Sequence, residues 1–208
     1  MISIKLLDTI SSITQKINSA SASFINAKLK NKKDFIQSNA KSLAIGWLMS
    51  QPEISSLSGG ELAGAFGLPV GSGPTVISSI TKAFTESIYC NIIPFNNKLL
   101  GGGVFIYFQP SDFSNLLSLP EGHTVYMLGD LHWLNWLLNL GDTTIVVGYY
   151  YNPKSGLGRS KLGYMKSGGS FRVPPEFSGS SDNNFITRAL LGNTQEKEIS
   201  QLLKRALT

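Results

Sequence analysis

"SFRVPPEFSGSSDNNFITRALLG" (residues 170–192) changes character three times. A strand pattern around Phe171 to Val173 halts at Pro174 and Pro175, because proline supplies no backbone N–H to a ladder. A polar loop follows. The chain then restarts as a helix, with Asp182 expected as N-cap and Phe185, Ile186, Ala189 and Leu190 on one face, closed by Gly192. Asn193 and Glu196 next read as a capping box for a last helix carrying Ile199, Leu202, Leu203 and Ala206. A strand leading directly into two capped helices points to an α+β domain whose C-terminal helices pack against a sheet.

Upstream, "IYCNIIPF", "GGGVFIYFQP", "HTVYML" and "TTIVVGYYY" are rich in β-branched and aromatic residues and bounded by Gly, Pro or Asn. They predict a mostly antiparallel sheet from segments near 88–96, 103–109, 123–128 and 143–151, with Val104, Ile106 and Phe108 on a buried face. Between the last two, "GDLHWLNWLLNLGD" (129–142) predicts a short helix with Leu131, Leu134, Leu137 and Leu138 on one face, closed by Gly141. Pro74 suits the first turn of a helix presenting Ile77, Ile80, Phe84 and Ile88. The glycine- and proline-rich run before it predicts a loop around one helical turn at 61–66.

At the other end, Leu6, Ile10, Ile13, Ile17, Ala20 and Phe24 recur at alternating spacings of three and four, the stripe of an amphipathic helix. A second pattern, Ile36, Ala40, Leu43, Ala44, Trp47 and Leu48, follows a lysine-rich joint, "KLKNKKD". The expected organisation is an N-terminal helical arm over residues 1–50 and an α+β core domain over 51–208, with a long, flexible basic hairpin at 152–170.

Composition narrows the function classes. Charged residues make up 15% of the chain against a usual share of about 25%, so much of the surface is polar-neutral or apolar, as suits contact with other protein. No run of apolar residues is long enough to span a membrane, and the N-terminus lacks the apolar core of a signal peptide. Cys90 is the single cysteine, which fits a reducing compartment. Charge is segregated: residues 1–50 hold seven Lys and two acids, 51–149 two Lys and seven acids, and 152–172 five cations and no acid.

Chemistry is sparse. "GDLHW" has the Gly-Asp-x-His order of metallophosphatase turns, but with only His123 and His132 in the chain the ligand set is too small, and the plainer reading makes Asp130 a helix N-cap. "GLGRSKLG" lacks the Gly-Lys-Ser/Thr ending of a phosphate loop, and no serine stands in a Gly-x-Ser-x-Gly frame. Cys90, within an apolar strand, reads as buried and inert. No metal, cofactor or catalytic residue is expected. That leaves the basic run Lys154, Arg159, Lys161, Lys166 and Arg172, either a solvated loop or a contact for a polyanion or an acidic protein surface.

The order of elements, with "SGGELAGAF" (58–66), "LHWLNWLLNLGD" (131–142) and "FRVPPEFSGSSDNNFITRAL" (171–190), resembles the tail-completion and neck proteins of tailed bacteriophages. The long N-terminal region and the helix at 74–88 are additions to that pattern. The resemblance implies a non-enzymatic virion protein, assembled in the host cytoplasm into a ring of six or twelve copies at the head–tail junction, between portal, adaptor or tail-tube proteins, with the genome passing through the lumen. It implies that Lys154, Arg159, Lys161, Lys166 and Arg172 face DNA or a neighbouring ring. Leu6, Ile10, Ile13, Ile17, Phe24, Trp133 and Trp136 are the expected homo-oligomer interface. A portal adaptor of the same junction is the nearest alternative, and a nucleic-acid-binding module outside the virion is another.

Overall fold

The computed structural model describes residues 8–126 and 129–207, so Leu6 of the expected interface lies outside the described residues. About 51% of the chain is helix and 18% strand, an α+β arrangement richer in helix than the usual third. Helix α1 (Ile10–Met49) is one unbroken helix of 40 residues, capped by the Thr9 hydroxyl accepting from the Ser12 N–H. The lysine-rich joint is therefore a correction: Lys and Leu are good helix formers, and no Gly or Pro interrupts them. Nor does the packing stop at residue 50. Ala44, Trp47 and Leu48 belong to the main core, so only the first turns of α1 stand apart from the body.

That core is built by helices: α2 (Pro52–Gly59), α3 (Glu61–Ala65), α4 (Gly73–Glu86), α5 (Ser114–Leu117), α6 (Trp133–Leu138) and α7 (Phe185–Leu190) surround Leu57, Phe66, Phe84, Leu116, Trp133 and Phe185. Phe66 stacks on Trp133 at 5.3 Å between ring centres. Helices α2 and α5 fall on segments whose sequence pattern pointed to no helix. Pro52 serves as the first-turn proline of α2. Helix α8 (Asn193–Leu207) lies along α1, where Glu198 Oε2 accepts from Trp47 Nε1 at 2.6 Å.

The strands form three separate antiparallel ribbons rather than one sheet: β1 (Tyr89–Ile93) with β2 (Gly103–Tyr107), β3 (Thr124–Tyr126) with β4 (Gly129–Leu131), and β5 (Val146–Pro153) with β6 (Gly163–Phe171). Alternation requires only that one face be covered, and helices do the covering. Val104 and Ile92 lean on Leu29 and Ile36 of α1 and Ala206 of α8, with Cys90 buried among them as expected.

Three helix starts are displaced. The N-cap of α7 is Asn184, not Asp182: fully buried Asn184 forms a capping box with Thr187, and its Nδ2 donates to the Leu138 carbonyl at 3.1 Å. Asp130 stands on β4, and His132 precedes α6. At the C-terminal end, Asn193 is already helical and the Glu196 N–H donates to the Gly192 carbonyl. Glu53 of α2, fully buried, pairs with Arg188 of α7. Burial pushes its carboxyl up against the pull of a backbone hydrogen bond and that guanidinium.

Candidate functional site: the β5–β6 ribbon

Residues 152–170, expected as a long, flexible hairpin, are the distal arms of an antiparallel ribbon whose turn spans residues 154–162. Gly148, at φ +88, sits in the bulge between Val147 and Tyr149 and bends β5. Both ends of the ribbon are attached. At the root, Phe171 and Val173 enter the main core. At the tip, Ser160 and Gly163 are buried, and Gly64 of α3 carries no side chain where the Tyr151 hydroxyl lies. Tyr151 donates to the Leu162 carbonyl at 3.0 Å, and Arg159 reaches the Val125 carbonyl of β3 at 3.2 Å.

Strand register sorts the tyrosines. Tyr151 opposes Met165 and Tyr149 opposes Ser167, on the inner face. Tyr150 opposes Lys166 and Asn152 opposes Tyr164, on the outer face, where Asn152 Nδ2 donates to the Tyr164 hydroxyl at 3.2 Å. The outer face is thus an open row of two tyrosines, an asparagine and a lysine.

All five cations of the run are exposed. Arg172 lies 3.9 Å from Asp142, a solvated contact of little energetic weight. Among the described residues Lys154, Lys161 and Lys166 form no ion pair. Lys161 adopts φ +61, a left-handed conformation that costs a side-chain-bearing residue roughly 1–2 kcal/mol. A lysine held where glycine would be unstrained is a reason to look for a contact there.

Beneath the ribbon's inner face lies an open apolar cavity of about 710 Å³, lined by Tyr126, Leu131, His132, Trp136, Tyr149 and Met165 among others. Trp136 thus sits at an accessible surface. Trp133 does not: it is fully buried against Phe66 and is removed from the expected interface, because the helical face of Leu134, Leu137 and Leu138 turns it into the core.

One arrangement escaped the sequence reading. His123 Nδ1 lies 2.7 Å from Asp130 Oδ2, and the His123 and His132 rings stack at 3.9 Å. Burial and the neighbouring His123 hold the His132 imidazole below its ordinary value of 6.5, against the opposing pull of Asp130 and the Leu117 carbonyl, and its Nε2 is buried with no partner. Their sequence separation is visible, but only the antiparallel pairing of β3 with β4 brings them together. Among the described residues no cluster of three or more His, Cys, Asp or Glu is placed to hold a metal ion, and no hydroxyl or thiol is hydrogen-bonded to the pair.

No helix among the described residues is long and apolar enough to cross a membrane. No protein-family model, curated protein or solved structure matches the chain.

Proposed function

We propose that the chain is a non-enzymatic structural subunit of a tailed-phage particle, a homo-oligomeric ring at the head–tail junction that presents the β5–β6 ribbon to DNA or to a neighbouring ring. The observation that carries this reading is the ribbon itself: five exposed cations and no acid over residues 152–172, on a segment anchored at both ends. Repetition around a ring would multiply that charge into a band able to hold a passing polyanion through counterion release. Large apolar side chains exposed across the surface, Val125, Val147 and Leu191 among them, favour a protein that works in contact with others. Whether the ring is the neck, the tail terminus or the portal adaptor follows from its neighbours.

Mass spectrometry of purified particles, combined with imaging of the head–tail junction, tests the reading directly. The chain should be found at fixed stoichiometry in a ring there; its absence from particles would refute the proposal. Replacing Lys154, Arg159, Lys161, Lys166 and Arg172 together with Ser should leave the helices and ribbons intact by circular dichroism, yet yield particles that assemble poorly or leak DNA. Normal infectivity of that variant would reduce the ribbon to a solvated surface.

Tyr150, Tyr164 and Lys166 on one open face also favour a second reading, a nucleic-acid-binding module acting outside a particle. It predicts DNA binding by the soluble monomer, with an affinity that falls steeply between 50 and 200 mM salt, by roughly tenfold or more for a few phosphate contacts.

A further inference from the structure

The first turns of α1 show a face that the described residues of the body leave uncovered. Ile10, Ile17 and Phe24 recur every seven residues and are 80%, 58% and 68% exposed. Ala22, Leu29 and Ile36 also recur every seven residues and are all buried. The two series are offset by two residues, or about 200° around a helix that turns about 100° per residue, so they point in nearly opposite directions. Because α1 is continuous, no hinge exists to turn the exposed series inward.

With Ile10 placed at position a of a heptad, Ile13 and Ala20 fall at d and Ile17 and Phe24 at a, a strict alternation of three and four that belongs to a helix packed knobs-into-holes against other helices. The seam ends where the body begins. Its next positions are Ala27 and Asn31, and from Asn26 onward α1 is tied to the body through two hydrogen bonds with Phe95, each 2.8 Å. Lys28 closes the base of the seam, its ammonium 5.8 Å over the Phe24 ring. Little charge opposes self-association: Lys16 is the lone charge between residues 9 and 27, and it is paired at 2.8 Å with Asp8, which lies just before the N-cap of α1. The flanking positions Thr14, Ser21 and Ser23 are small enough to allow close approach.

We propose that the occupant of this face is the same segment of other copies: α1 residues 10–24 associate in a parallel, in-register bundle, with the bodies splayed at its base. Isoleucine at both a and d disfavours a two-stranded coil, so the bundle holds three or more helices. This deepens the ring reading by naming how copies meet, and it rests on homo-oligomerisation but not on the particle.

Engineered cysteines in the full-length protein test it, because Cys90 is 2% exposed and stays silent. Ile10→Cys and Phe24→Cys lie at opposite ends of the seam, and Gln15→Cys on the far face is the control. Under mild oxidation, each seam variant alone should give about tenfold more covalent dimer than the control, since parallel register brings like positions within disulfide reach. Cross-linking only when Ile10→Cys and Phe24→Cys are mixed would overturn the parallel register, and equal yields from all three would overturn the seam. The double variant Ile13→Ser/Ile17→Ser, followed by sedimentation, should remove oligomers while leaving the monomer's circular dichroism unchanged. Oligomers that survive it refute the seam and leave the ring standing, whereas a bundle in solution with no copy in particles refutes the ring and leaves the seam.

Discussion

The two halves of α1 carry equally regular apolar patterns and meet opposite fates. Ile36, Ala40, Ala44 and Leu48 are fully buried, while Ile10, Ile17 and Phe24 lie in the open. Periodicity therefore states that a face is to be covered and is silent about what covers it. The covered half anchors the fold, and the bare half is available for association.

Substitutions should separate these roles sharply. Leu48→Ala, which empties a fully buried site, should cost about 3 kcal/mol of unfolding free energy, whereas Ile17→Ala should change the stability of the dilute monomer by less than about 0.5 kcal/mol. Urea titration at low protein concentration measures both, and similar losses at the two sites would break the comparison. Arg188→Ala should also weigh on the covered end. It strands the buried Glu53 carboxylate, a change that costs roughly 3 kcal/mol for a buried pair, and less here because Arg188 is about a third exposed.

Acid offers a subtler separation. His132 is held below 6.5 in the folded chain, so between that ordinary value and its lowered one the unfolded state binds more protons. Stability from this group is complete above about pH 6.5 and declines as pH falls through that window, then levels off once the folded form also protonates. His132→Gln should flatten the decline in urea midpoints measured across pH 7 to 5. Association through α1, which has no titrating group on its seam, should persist to lower pH than the body does. A modest effect of the opposite sign is expected at Lys161→Gly: relief of the left-handed strain should stabilise the fold by about 0.5–1 kcal/mol while weakening whatever contact the ribbon makes.

Legibility in the sequence tracked the range of the interactions involved. The α+β class, the helix beginning near Pro74, a short helix carrying Leu134, Leu137 and Leu138 and the buried Cys90 all rest on neighbours a few residues away, and they were readable, whereas that helix ends at Leu138 rather than at Gly141 and Leu131 falls on β4. The union of strands into one sheet was not, because pairing is a choice among distant partners, and α1, α8 and the core helices supplied the cover that a neighbouring strand would have given. Trp133 and Trp136 illustrate the same limit. Three residues apart on a short helix, one is core and one lines an open cavity, and only the positions of Phe66 and Tyr149 tell them apart. At the ribbon, the charges were evident in the sequence, but the attachment of its tip depended on Gly64, nearly ninety residues upstream of Tyr151.

That glycine has a mechanical meaning. A strip clamped at one end is a cantilever, whose free tip wanders and takes any load by bending at the root. Clamped at both ends it becomes a beam, stiffest near its supports, and it passes a pull on its midspan into both footings at once. A polyanion dragged across Tyr150 and Lys166 would load α3 and the core together, and the cations would already stand in place, their ordering completed when the chain folded. One methyl group at position 64 would turn the beam back into a cantilever without altering a single charge.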